Sequence, residues 1–98
     1  MKDEFVYSIG IWGQRHYNYL KKNSPTVINV MRMNGTLEKY LRDIDQDASE
    51  MFDKMMRVFA EFEGITEQLK SDNQFEWVGR MNNIRARVTN IVNTELIY

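Results

Sequence analysis

Apolar residues recur along two segments of the chain with the period of helices that pack against a partner helix. In the first segment, from Thr36 to about Glu63, they lie alternately four and three residues apart, at Leu37, Leu41, Ile44, Ala48, Met51, Met55, Val58 and Phe62. In the second, from about residue 72 to 97, the same spacing holds at Trp77, Met81, Ile84, Val88 and Ile91. Because only a short connector separates the segments, they predict a long antiparallel helical hairpin.

Two shorter helices are predicted ahead of the hairpin, at residues 14–23 and 25–34. Pro25 suits the first position of a helix, and Gly35 can end one by adopting a left-handed conformation. Residues 1–12 show no helical period and are predicted to form an irregular arm. The fold class is therefore all-α, with one helical domain over residues 1–98.

The first long helix carries more apolar surface than one neighbouring helix can cover. We call the periodic row of apolar residues on each long helix its seam. Phe52, Met56 and Phe59 lie beside the seam of the first long helix and widen its apolar stripe. Since the two short helices can cover only part of so long a hairpin, we expect these three residues to form a homodimer interface that completes a helical bundle.

Composition excludes several kinds of chemistry. The chain has no cysteine, so it cannot form disulfides or thiolate metal sites, and its single histidine, His16, is interpreted as a surface or interface residue. We predict no catalytic residue, metal, cofactor or small-molecule substrate. No apolar run is long enough to span a membrane and no signal peptide is recognisable, so a cytoplasmic location is expected.

The net charge of −1 conceals an uneven distribution. Residues 1–35 hold five basic and two acidic residues, whereas residues 36–63 hold four basic and eight acidic ones. Two interpretations are open: the segments attract each other across solvated faces, or the first forms a modest basic patch for a polyanion.

A polar row on the last helix is the main candidate for recognition. Its members follow at spacings of three and four residues: Arg80, Asn83, Arg87, Asn90 and Thr94, with Arg85 beside them. Such a row could contact phosphates and base edges, or could bond to a neighbouring helix. The full set of candidate nucleic-acid contacts is Arg15, Lys21, Lys22, Arg32, Arg80, Asn83, Arg85 and Arg87.

From about residue 13 onward, the chain resembles the transposon-encoded TnpV family. The matching stretches are Tyr19-Leu20-Lys21 with Pro25, Gly35-Thr36-Leu37, Leu41-Arg42-Asp43-Ile44-Asp45 with Ala48, Gly64-Ile65-Thr66-Glu67-Gln68-Leu69-Lys70, Glu76-Trp77-Val78, Met81-Asn82-Asn83-Ile84-Arg85 and Glu95-Leu96-Ile97-Tyr98. The resemblance implies a protein of bacterial mobile elements with an excisionase-like or recombination-accessory role. It brings no catalytic residues with it.

Two hypotheses follow for the function. In the first, the chain is a non-enzymatic accessory protein that binds DNA or a recombinase–DNA complex. In the alternative, it is a helical protein–protein or oligomerisation module without nucleic-acid contact, and its arginines pair with the acidic run between Asp43 and Asp53.

Overall fold

The computed structural model describes residues 3–98, which form five α-helices and two single-turn helices. In chain order they are a 3₁₀ helix at Glu4–Ser8, α1 at Ile11–Asn23, α2 at Pro25–Asn34, α3 at Leu37–Phe62, α4 at Glu67–Asp72, α5 at Gln74–Val92 and a π-helical turn at Asn93–Ile97. No strand occurs within this range, and the all-α prediction is confirmed.

The two long helices form the predicted antiparallel hairpin. Near one end of α3, Tyr40 lies close to the C-terminal turn, because both contact His16. Near the other end, Glu63 pairs with Arg87 in the second half of α5. The connector contains α4, which begins where the Thr66 hydroxyl accepts a hydrogen bond from the Leu69 amide.

The hairpin is offset, so that α5 extends past the end of α3. Arg87 lies over the Phe59 ring and pairs with Glu63, which places it level with the C-terminal end of α3. The thirteen residues of α5 that precede Arg87 therefore extend about 20 Å further. Over this overhang α5 packs against α4, where the Lys70 ammonium lies 4.8 Å from the centre of the Trp77 ring.

At the opposite end, α1 packs very closely against the first half of α3. The Asp45 carboxylate accepts a hydrogen bond from the Gly13 amide at 2.9 Å and so caps the start of α1 from another helix. A Cβ atom on Gly13 would lie 2.9 Å from the Asp45 Cβ and 3.0 Å from the Leu41 carbonyl oxygen. The glycine therefore permits the two backbones to approach.

Two predictions about the helices need correction. The irregular arm expected at 1–12 contains the 3₁₀ helix, and α1 begins at Ile11 because tertiary capping replaces the missing sequence signal. Met1 and Lys2 of that arm lie outside the described residues. The seam of α3 is also buried over only part of its length, since Val58 and Phe62 are exposed where α5 leaves the end of α3.

The resulting molecule is elongated and contains two apolar clusters. It measures 55 × 21 × 17 Å, and its radius of gyration of 17.1 Å exceeds the value of about 13 Å expected for a compact chain of this length. One cluster joins the 3₁₀ helix, α1, α2 and the start of α3, and the other follows the hairpin. Within residues 3–98, none of the helices is long and apolar enough to cross a membrane.

Candidate functional surfaces

The polar row predicted on α5 lies on the surface. Arg80, Asn83, Arg87, Asn90 and Thr94 are all exposed. Each arginine of the row nevertheless has an acidic partner: Arg80 pairs with Glu76 at 2.9 Å, and Arg87 pairs with Glu63 at 2.8 Å. Arg87 also donates to the Asn83 side-chain oxygen at 2.9 Å, so the two central members of the row bond to each other.

Arg85 does not extend this row. Successive residues of an α-helix are about 100° apart, so Arg85 lies roughly opposite Arg87 on the helix. It is exposed and donates weakly to Asn82 at 3.4 Å. The expectation that Arg85 lies beside the row is therefore wrong.

The remaining candidate cations lie near the other end of the molecule. Arg15 donates to Asn93 at 2.9 Å and covers the Trp12 ring at 5.0 Å, which joins α1 to the C-terminal turn. Lys21 lies 5.7 Å from the centre of the Tyr17 ring, and Lys22 is exposed. The structure therefore divides the predicted basic residues between two regions of an elongated molecule.

Arg32 is held by a carboxylate from the N-terminal segment. Its guanidinium donates to both oxygens of Asp3, and the Tyr17 hydroxyl donates to the same carboxylate at 2.7 Å. The hydrogen bonds from Arg32 hold the pKa of Asp3 below its ordinary value, and the one from Tyr17 adds to this effect. Burial, together with the hydrogen bond to Asp3, raises the pKa of Tyr17.

His16 is buried, contrary to the prediction of a surface or interface residue. Its Nδ1 lies 2.5 Å from the Ile97 carbonyl oxygen and its Nε2 lies 2.8 Å from the Tyr40 hydroxyl. Because the carbonyl can only accept, Nδ1 donates there, and in the neutral ring Nε2 accepts from Tyr40. His16 thus joins α1, α3 and the C-terminal turn.

The residues predicted to form a dimer interface are half-buried within the chain. Phe52 packs against Trp12 with ring centres 5.6 Å apart, Phe59 lies beneath Arg87, and Met56 packs in the hairpin cluster. The large apolar side chains exposed in this part of the molecule are instead Val58, Phe62, Phe75 and Val78. The exposure of Phe62 could have been predicted from the sequence, because Phe62 is the last residue of the α3 seam and lies where that seam continues past the partner helix.

No group of three or more potential metal ligands occurs among residues 3–98. A cleft of about 460 Å³ opens beside Asp3 and Arg32.

Comparison with known proteins identifies the family. The profile described as "Transposon-encoded protein TnpV" matches residues 1–97 of the chain, so the chain belongs to the TnpV family. No curated protein and no solved structure matches it.

Proposed function

We propose that this transposon-encoded chain is a non-enzymatic accessory protein that acts by binding another protein. The first partner that we propose is a second copy of the same chain. The docking surface is the hairpin tip, defined as residues 53–87. The observation that carries this proposal is the exposure of two phenylalanines there, Phe62 at 90% and Phe75 at 94%. Large exposed aromatic side chains are characteristic of protein–protein contact surfaces.

The apolar side chains form two groups along the tip. Val58 and Phe62 lie at the end of α3 beside a hollow of about 370 Å³, and Phe75 and Val78 lie at the start of α5 beside one of about 460 Å³. The two groups are separated by roughly 18 Å along the long axis. Each group offers a separate apolar surface on which a second copy can dock.

The charge of the tip favours a second copy over a polyanion. Residues 53–87 hold six Lys or Arg and six Asp or Glu, which gives no net charge. Two identical tips can thus pair acid with base around the apolar groups, whereas a neutral surface gives little attraction for a phosphate backbone. The ion pair between Arg87 and Glu63 borders the exposed Phe62 and can rearrange across such an interface.

The proposal of a non-enzymatic role is supported by the state of the polar groups. His16 uses both ring nitrogens in structural hydrogen bonds. The carboxylates Glu63 and Glu76 are engaged by arginines on an exposed surface. Catalytic acids and bases more often lie in enclosed clefts beside groups that perturb them.

Light scattering across a concentration series tests self-association. We expect the wild-type chain to reach a dimer mass by high micromolar concentration, and Phe62→Ser with Phe75→Ser to weaken dimerisation at least tenfold. Met33→Ser is the matched control, because Met33 is 87% exposed on α2, away from the tip. A monomer mass for the wild type throughout the series would contradict the proposal.

A second candidate function is DNA contact through the exposed row on α5. It is favoured by the exposure of Arg80, Asn83 and Arg87 along one face of a helix. If it is correct, a gel shift with the ends of the transposon should detect binding that weakens steeply as salt rises. Arg80→Gln with Arg87→Gln should reduce this binding, whereas Arg85→Gln, on the opposite flank, should not.

A further inference from the structure

Asp3 occupies a set of hydrogen-bond donors that is built to hold an anion. The Nε of Arg32 donates to Oδ1 of Asp3 at 3.1 Å, and Nη2 of Arg32 donates to Oδ2. The Tyr17 hydroxyl donates to Oδ2 at 2.7 Å. A guanidinium that meets a carboxylate through two parallel bonds is among the strongest anion contacts in proteins.

These donors line a cleft that has room for more than the Asp3 side chain. The cleft has a volume of about 460 Å³, and Tyr7, Gln14, Asn18 and Lys21 line it together with the Asp3 cluster. Lys21 brings a second positive charge, which acts on the Asp3 carboxylate. Lys22, the next residue, does not line the cleft.

We propose that Arg32, Tyr17 and Lys21 form a binding site for a phosphate group, and that Asp3 occupies this site as an internal substitute until such a ligand displaces it. The site lies on α1 and α2, away from the hairpin tip, so the inference is independent of the proposed docking function. The ligand carries a phosphate monoester, either on a free nucleotide or at the end of a DNA strand.

The charges favour phosphate over a second carboxylate. With Asp3 displaced, Arg32 and Lys21 leave two positive charges beside the Tyr17 hydroxyl. A phosphate monoester carries about −1.5 to −2 at neutral pH and accepts several hydrogen bonds, so it matches both cations and the phenol. A carboxylate balances only one of these charges. The remaining volume of the cleft, beside Tyr7, can then hold the group attached to the phosphate.

The internal carboxylate should make this binding weak in the wild-type chain. Because Asp3 is tethered next to its partners, its effective concentration at the site is high, and an external anion must compete with it. Removing the charge of Asp3 should therefore strengthen phosphate binding, although it removes a contact from the folded chain. Because freeing any arginine from its carboxylate adds some attraction for anions, a built site is distinguished by a saturable gain that depends on Lys21, which lines the cleft, and not on Lys22.

NMR titration of the Arg32 side-chain Nε–H tests the inference, with inorganic phosphate as the probe at constant ionic strength. We expect Asp3→Asn to bind phosphate at least tenfold more tightly than the wild type. Arg32→Gln in the Asp3→Asn background should abolish saturable binding, followed through the Tyr17 ring signals, and Lys21→Gln should weaken it severalfold. Lys22→Gln in that background is the matched control and should change little.

Three outcomes would overturn the inference. The first is that neither Asp3→Asn nor Asp3→Ser, each confirmed as folded by circular dichroism, binds phosphate more tightly than the wild type. The second is that Lys22→Gln weakens binding as much as Lys21→Gln, which would indicate general attraction to a basic surface. The third is that chloride shifts the Arg32 signal as strongly as phosphate.

A second titration distinguishes the two sources of phosphate. The Asp3→Asn chain is titrated with a nucleoside 5′-monophosphate and with short single strands that carry either a 5′-phosphate or a 5′-hydroxyl. Preference for the phosphorylated strand over the nucleotide identifies a DNA end as the ligand, and the reverse identifies a free nucleotide. Equal binding of the phosphorylated and hydroxyl strands, without binding of the nucleotide, would contradict a terminal phosphate site.

Discussion

The two ends of the molecule are held together in different ways. At the base, defined as residues 3–45 with residues 93–98, five segments converge, and polar side chains cross between them. Asp45 caps α1, His16 joins α1 to α3 and to the C-terminal turn, and Arg32 binds Asp3. At the tip, α4 and the overhanging part of α5 pack through partly buried apolar side chains such as Leu69 and Trp77, beside exposed phenylalanines.

This difference shows where the chain specifies its own structure and where it leaves surface for a partner. The contacts of the base depend on directed hydrogen bonds and on one very close backbone approach, so few alternative arrangements satisfy them. The tip relies on the partial burial of its apolar side chains, which leaves apolar surface available. Changes at the base should therefore destabilise the fold strongly, whereas changes at the exposed positions of the tip should affect its stability little.

The largest effect is expected at His16. His16→Ala leaves the buried Ile97 carbonyl without its donor and opens a cavity between three segments, so the free energy of unfolding should fall by about 2–4 kcal/mol. Urea denaturation followed by circular dichroism measures this. Tyr40→Phe, which removes only one bond to the same ring, should cost about 1 kcal/mol. Equal losses for the two variants would contradict the role assigned to His16.

A smaller loss is expected where α1 meets α3. Gly13→Ala places a Cβ 2.7 Å from the Ile9 Cδ1 and 3.0 Å from the Leu41 carbonyl oxygen, so α1 must move away from α3. Overpacking of this kind costs about 1–3 kcal/mol. Thermal denaturation should show a lower midpoint, and unchanged stability would mean that the two helices separate more easily than their packing indicates.

The contrast between the ends also explains what the sequence could and could not predict. The hairpin follows from the spacing of apolar residues alone, because Leu41, Ile84 and Val88 belong to rows that recur every three or four residues and face a partner helix. The contacts of the base could not be predicted, since Asp45 acts on a glycine 32 residues away and nothing local marks that pair. For the same reason, α1 begins earlier than its own sequence indicates.

The candidate surfaces were predictable to a similar extent. Helical spacing correctly placed Arg80, Asn83 and Arg87 on one exposed face. It could not show that Glu63 would neutralise Arg87, because that pair depends on how α5 is offset along α3. The same offset leaves Phe62 exposed, since the seam continues beyond the partner that would have covered it.

A third prediction concerns the base and the way in which its contribution to stability depends on pH. Burial raises the pKa of both Tyr17 and Tyr40 at the base above the ordinary value of 10.0. A tyrosine with a raised pKa stabilises the fold below pH 10 and loses that contribution as the pH rises through the raised value. The urea midpoint should therefore fall above pH 10, and Tyr17→Phe with Tyr40→Phe should make this fall shallower. An alkaline fall that is the same in both chains would contradict this origin.

The smallest expected change in stability concerns the tip, and it is a gain where the preceding variants of the base give a loss. Gly79 lies within α5, and no atom lies within 4 Å of the position where a Cβ would be added. Gly79→Ala should therefore stabilise the chain by about 0.5–1 kcal/mol, because alanine loses less conformational freedom in a helix. Hydrogen exchange should slow most at the amides of α4 and the first half of α5. Gly64→Ala is the control, since Gly64 has φ of 70° and alanine there is strained. If Gly79→Ala slowed exchange equally at the base, the two ends would unfold as one cooperative unit, and the difference between their contacts would not extend to local unfolding.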